Sequence, residues 1–220
     1  MLNSLSEEEL EKASQLSQIN DQQNFITSRY FLRQILAQEL NVSAKSIDYS
    51  FSLHGKPYLK KENYYFNISH SGQIFVIATS SIGEIGVDIE DVNRDVNYQQ
   101  LSDLIMSEAD QYEFDSIIQS KKTAIFLTYW TRKEAFFKGI GMGLTSPLKG
   151  LSINVDTATS PSILATEWNS SLKDKWQLLN LEEIKNCIGT VAIKTTDRNI
   201  VVNYSDLSQW QQNEFTFNTL

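Results

Sequence analysis

The hydrophobic pattern of this chain changes period several times. Ser6-Glu-Glu-Glu9 has the reciprocal spacing of a capping box and predicts a helix from there to about Ile19. Asp21 is placed to cap a second helix over 22–40, with Phe25, Leu32, Leu36 and Leu40 as its apolar stripe. Beyond Asn41 the period shortens. Residues 47–53 alternate weakly, Gly55-Lys-Pro57 marks a turn, and Tyr64-Tyr-Phe66 leads into a polar loop, Asn67-Ile-Ser-His-Ser-Gly72. Ile74 to Ala78 is a continuous apolar run, which predicts a buried strand. Glu84 to Glu90 predicts a second strand, joined to the first as a hairpin through Ser80-Ser-Ile-Gly83. Ser107 with Asp110 opens a helix to about Gln119. Lys121-Lys122 interrupts it, and Thr123 caps the longest helix, which runs to Lys138 and ends at Gly139, Gly141 and Gly143. The rest reads as strands over 151–155, 176–181, 191–194 and 200–204.

Element order predicts an α+β fold of two similar halves, 1–84 and 85–208, followed by a polar tail over 209–220. No internal repeat at a fixed period accompanies it. The length of 220 residues suits one large domain or two small ones. Aromatic residues make up 11% of the chain, more than a disordered polymer carries. The single cysteine, Cys187, excludes an internal disulfide, and no Cys/His cluster has zinc spacing. No apolar run reaches the ~20 residues of a membrane helix, and the acidic start is unlike a targeting peptide, so a cytoplasmic protein is expected. A net charge of −8 argues against nucleic-acid binding but leaves room for a small basic pocket.

Three constellations carry candidate chemistry. In Ile85-Gly-Val-Asp-Ile-Glu90, strand alternation sends Ile85, Val87 and Ile89 to one face and Gly86, Asp88 and Glu90 to the other. Two carboxylates so close repel unless a cation lies between them, and hard oxygen donors suit Mg²⁺, or Mn²⁺ in its place. Gly86 would leave that face bare for a ligand. An ordinary strand with an acidic outer face fits the same residues. In Trp130-Thr-Arg-Lys-Glu-Ala-Phe-Phe-Lys138, the residues Trp130, Glu134 and Lys138 share one helical face. That helix is apolar nearly all round, which predicts burial. Glu134 and Lys138 either pair with each other or serve as a metal ligand and a phosphate contact. The third constellation is the polar segment from Asn67 to Gly72, where His70 and backbone N–H groups would meet an anion. Arg29 and Arg33 lie on the second helix, as snorkelling side chains at the edge of a packed face or as anion ligands. The glycines after Lys138 follow a helix rather than a strand, so they are no dinucleotide fingerprint.

Taken in order, Gly55-Lys-Pro57, Phe66-Asn-Ile-Ser-His-Ser71, Gly86-Val-Asp-Ile-Glu90 and Trp130-Thr-Arg-Lys-Glu-Ala-Phe-Phe-Lys138 resemble a 4′-phosphopantetheinyl transferase of the two-halved, single-chain Sfp type. The resemblance covers about Ser6 to Tyr204. It implies two pseudo-symmetric halves, each a small, mostly antiparallel sheet packed with a long helix. It implies transfer of the 4′-phosphopantetheine arm of coenzyme A to a serine of an apo acyl or peptidyl carrier protein, with Mg²⁺ dependence and release of adenosine 3′,5′-bisphosphate. This is a holo-[acyl-carrier-protein] synthase type of activity. By resemblance, Asp88, Glu90 and Glu134 hold Mg²⁺, and Glu134 with Lys138 is catalytic. Arg29, Arg33, Lys56, Pro57, Ser69, His70, Asp88 and Lys138 would contact coenzyme A, with the first half meeting its adenosine and phosphates. The family often has basic residues before the second helix, whereas residues 14–23 contain no Lys or Arg.

Neither half is basic. Residues 1–84 hold 7 basic and 9 acidic side chains, and the remainder holds 12 and 18. Docking of an acidic carrier would then rest on a local patch, for which Lys121, Lys122, Lys149, Met142 and Leu144 are candidates. Because both halves lie in one chain, an active monomer is expected. A Mg²⁺-dependent nucleotide pyrophosphohydrolase or phosphotransferase, or a non-catalytic module binding coenzyme A or a carrier protein, would present similar residues.

Overall fold

In a computed structural model, residues 1–143, 146–156 and 159–207 are described, and they fall into two compact units, Met1–Lys45 with 199–207 and Ser46–Arg198. The first unit is helical. Helix α1, Glu7–Ser14, carries the expected capping box: the Glu9 amide donates to Ser6 Oγ at 3.2 Å, and the Ser6 amide to Glu9 Oε2 at 3.0 Å. It stops at Ser14, so Ile19 opens α2, Ile19–Leu40, rather than closing α1. The N-cap of α2 is Gln18, not Asp21. Leu32 and Leu36 are fully buried, as the stripe requires. Asn41 then ends α2 in the left-handed region, a conformation its short polar side chain tolerates. The strand expected over 200–204 is absent: those residues take no regular structure.

The second unit is mixed α+β. A short hairpin of β1, Ser50–Phe51, and β2, Pro57–Tyr58, flanks the Gly55 turn. The segment expected as a polar loop is instead a strand, β3, Tyr65–Ser71. It pairs antiparallel with β4, Ile74–Ser80, around Gly72, whose φ of 58° suits glycine. The expected hairpin between Ile74–Ala78 and Glu84–Glu90 is therefore not formed. Strand β5, Ile85–Asp91, joins a three-stranded antiparallel sheet in the order β5-β9-β8, where β8 is Trp176–Asn180 and β9 is Cys187–Lys194. Residue 84 lies between β4 and β5, and both strands belong to this unit.

Between β5 and β8 run α3, Tyr98–Ile105; α4, Glu108–Asp115; and α5, Lys122–Ile140. The β6–β7 hairpin, Leu151–Ile153 with Ile163–Thr166, and the short α6, Leu172–Lys175, follow. Helix α3 and strand β7 are not marked by the hydrophobic pattern, and the helix opened by Ser107 ends at Asp115, short of Gln119. Helix α5 is buried on several sides, with Phe126, Tyr129, Phe136 and Phe137 in one core with Ile105, Phe114, Leu151 and Trp176. Phe136 and Trp176 meet edge to face with centroids 5.4 Å apart. Ile85, Val87 and Ile89 enter a second core with Ala78, Leu181 and Val191, as strand alternation predicts.

The other face of β5 meets α5. A Cβ on Gly86 would lie 2.0 Å from the Ala135 carbonyl oxygen and 2.3 Å from the Gly139 nitrogen. The bare face expected to admit a ligand is thus filled by helix backbone. The close approach fixes α5 across β5 and brings the two families of charged residues together.

Candidate active site

Packing β5 against α5 puts Asp88 beside Lys138. The Lys138 ammonium donates to Asp88 Oδ1 at 2.6 Å and to Ser69 Oγ at 3.1 Å. Lys138 therefore pairs across to the strand and not with Glu134, four residues back on its own helix. Ser69 Oγ donates to the same Asp88 oxygen at 2.8 Å. Two residues on, Glu90 accepts from Ser71 Oγ at 2.9 Å and from Arg94 at 2.6 Å. Asp88 and Glu90 are both buried.

Electrostatics ties Glu134 to this cluster. Burial pushes the Glu134 carboxyl above the ordinary carboxylate range. The Asp88 and Glu90 charges push it the same way, and Lys138 opposes them. Burial also raises Asp88, against the pull of Lys138 and Ser69. Asp88 Oδ2 is buried with no hydrogen-bond partner in the protein. A buried acceptor left unmade costs ~1–3 kcal/mol, more when charged. Among the described residues, no three His, Cys, Asp or Glu side chains are already drawn into a metal cage. The donors still fit a hard cation: an orphaned carboxylate oxygen on Asp88, with the carboxylates of Glu90 and Glu134 in the same electrostatic neighbourhood.

Lys56 extends the cluster toward a pocket of about 200 Å³ lined by Pro57, Tyr58, Tyr65, Glu84 and Ile140 among others. Its ammonium donates to the carbonyls of Ile85, at 2.9 Å, and Gly139, at 2.7 Å. Lys56 thus clips the start of β5 to the end of α5. Burial lowers its pKa to about 8, with the Glu84 charge opposing. His70 is exposed, on the side of β3 opposite Ser69 and Ser71.

One compact unit therefore holds Lys56, Pro57, Ser69, His70, Asp88, Glu90, Glu134 and Lys138. Arg29 and Arg33 belong to the other. Arg29 lies over the Phe25 ring at 5.2 Å. Arg33 is buried, donating to Glu9 at 2.7 Å and to the Ala44 carbonyl at 2.9 Å. These bonds give Arg33 a structural place within the helical unit.

Family models match nearly the whole described chain. Residues 1–82 match the N-terminal part of 4′-phosphopantetheinyl transferases, and 84–193 match the 4′-phosphopantetheinyl transferase superfamily. The chain belongs to the 4′-phosphopantetheinyl transferase superfamily. A candidate transferase of this kind from Synechocystis sp. is 32% identical over 147 residues, which cover 66% of this chain and 60% of that one. The 4′-phosphopantetheinyl transferase HetI of Nostoc sp. is 29% identical over 193 residues, covering 86% and 78%. Among solved structures, the Thermotoga maritima holo-[acyl-carrier-protein] synthase aligns with 60% of this chain and 74% of its own, at 15% identity and a TM-score of 0.42.

Some residues of the candidate site escape sequence reasoning: Ser71 and Arg94, which hold Glu90, are two. Away from that cluster, the pairing of Lys133 is missed as well: fully buried, it donates to Asp110 at 2.6 Å and to the carbonyls of Ile105 and Leu148. Its signal is a lysine inside a helix that is otherwise apolar on nearly every side. Of the proposed docking residues, Leu144 lies outside the described residues, as does the tail over 209–220.

Proposed function

We propose that this chain transfers the 4′-phosphopantetheine arm of coenzyme A to a serine hydroxyl of an apo acyl or peptidyl carrier protein, releasing adenosine 3′,5′-bisphosphate. The observation that carries this reading is the ion pair of buried Asp88 with half-buried Lys138, with Asp88 Oδ2 unpartnered and Glu134 in the same electrostatic neighbourhood. A carboxylate-held cation and a fixed ammonium together would neutralise the charge of a pyrophosphate as it is attacked.

Asp88, Glu90 and Glu134 would hold Mg²⁺, with Mn²⁺ as a substitute. When bound, the ion would supply Lewis-acid stabilisation of charge on the pyrophosphate oxygens. Lys138 adds a second positive group, already aimed by Asp88 and Ser69, where charge develops. The carrier serine oxygen forms a bond to the β-phosphorus. The bond from that phosphorus to the bridging oxygen breaks, and its electron pair leaves with adenosine 3′,5′-bisphosphate. Glu134 takes the serine proton at a carboxylate oxygen, directly or through one water. That task falls to a carboxylate oxygen the cation leaves free. Lys56, Pro57, Ser69 and His70 are assigned to coenzyme A contacts, with Lys56 and Pro57 toward the lined pocket.

A monomeric enzyme is part of the proposal, because family matches to both halves fall within this one chain. No described helix is long and apolar enough to cross a membrane. The test is chromatography of the nucleotide product. Adenosine 3′,5′-bisphosphate should accumulate only when apo-carrier and divalent cation are both present. Its release without carrier would instead support a pyrophosphohydrolase, and binding of coenzyme A without turnover a non-catalytic module.

A further inference from the structure

Strands β3 and β5 run side by side in the same direction without a backbone ladder between them. Side chains replace it. The amide of Val87 donates to Asn67 Oδ1 at 2.9 Å, that of Ile89 to Ser69 Oγ at 3.3 Å, and that of Asp91 to Ser71 Oγ at 3.0 Å. The offset is twenty residues at every rung. Alternate residues of β3 thus satisfy alternate amides of β5, which buried backbone donors require.

The two serine rungs do more than the asparagine. A hydroxyl has one proton and two acceptor lone pairs. With a lone pair occupied by the Asp91 amide, the Ser71 proton goes to Glu90 Oε2. Ser69 does the same between Ile89 and Asp88. Ser71 is buried, as is Glu90, so neither bond is readily replaced by water. Asn67 has the same backbone role with no carboxylate attached.

We propose that Ser71 is a positioning residue that orients Glu90 for cation binding, acting through its hydroxyl proton. The proposal rests on the reading of Asp88, Glu90 and Glu134 as the cation site. Partners that orient metal ligands are typically worth about 10–100-fold in metal affinity. A hydroxyl is the group required here, so threonine should substitute and alanine should not.

The experiment is Mn²⁺ binding to the purified protein, followed through the free-ion electron paramagnetic resonance signal, alongside thermal unfolding. Ser71→Ala should weaken Mn²⁺ about tenfold, and Ser71→Thr should restore it to near wild type. Asn67→Ala removes a rung of the same ladder. It should lower the melting temperature about as much as Ser71→Ala while leaving Mn²⁺ affinity unchanged. Equal loss of affinity in Asn67→Ala and Ser71→Ala, or wild-type affinity in Ser71→Ala, would overturn the positioning role while leaving the cation site standing. A wild-type protein that binds no Mn²⁺ would overturn both.

Discussion

Lys138 and Asp88, fifty residues apart, meet at 2.6 Å because Gly86 lets helix α5 lie directly on strand β5. The pair is buried on the carboxylate side, where ionised Asp88 is held at a cost. A carboxyl whose pKa is raised on folding binds more protons folded than unfolded, so ionising it as pH rises lowers stability. Asp88→Asn removes that charge and also relieves its repulsion with Glu90. We expect the variant to lose transfer activity while its melting temperature in EDTA holds or rises. A clear fall in melting temperature would show that the Lys138 bond outweighs desolvation of the carboxylate.

The glycine contact itself is testable. Gly86→Ala would set a methyl group 2.0 Å from the Ala135 carbonyl oxygen, so helix and strand must separate. Overpacking of this kind costs ~1–3 kcal/mol. Urea unfolding should report a loss of that size, with transfer activity falling further because the Asp88–Lys138 distance depends on the same contact.

Much of the site is legible in the amino-acid sequence. Period-two alternation separates Asp88 and Glu90 from Ile85, Val87 and Ile89, and helical spacing puts Glu134 and Lys138 on one face. What stays hidden has partners distant in sequence. Asn67 to Gly72 looks like a loop because its polar side chains seem to want water, whereas their partners are amides and carboxylates about twenty residues on. Strand β5 pairs with β9, about a hundred residues away, so its local pattern points to the nearer β4. The structural acceptors of Arg33 and Lys56, a carboxylate and two backbone carbonyls, are likewise set by tertiary packing that local spacing does not reveal.

Lys56 makes a pH prediction. Its folded pKa, about 8, is below the ordinary 10.5. Between those values the unfolded chain binds more protons, so this group's contribution to stability rises as pH climbs from about 8 to 10.5. Below about 8 both states are protonated and the contribution is flat. The difference in unfolding free energy between wild type and Lys56→Met should therefore shift in favour of wild type across that window. A difference independent of pH would mean that the two carbonyls hold the ammonium charged.

The Lys133–Asp110 pair predicts a larger effect. Both side chains are buried, and removing one leaves the other charged and unpaired. Asp110→Ala should cost ~3–5 kcal/mol in urea unfolding. Replacing both by apolar residues of similar volume, Lys133→Met with Asp110→Leu, should recover much of it. No recovery in the double variant would assign the loss to the backbone groups the pair also holds, the carbonyls of Ile105 and Leu148 at Lys133 and the amides of Ser107 and Ile153 at Asp110.

Transfer to a carrier serine is the reaction proposed for Asp88, Glu134 and Lys138. Its most direct measurement is the intact mass of an apo-carrier protein incubated with this chain, coenzyme A and Mg²⁺. The carrier should gain the mass of one phosphopantetheine arm. That gain should be lost with EDTA, with Asp88→Ala, and with a carrier whose acceptor serine is alanine. An unmodified carrier beside consumed coenzyme A, or modification that persists in Asp88→Ala, would contradict it.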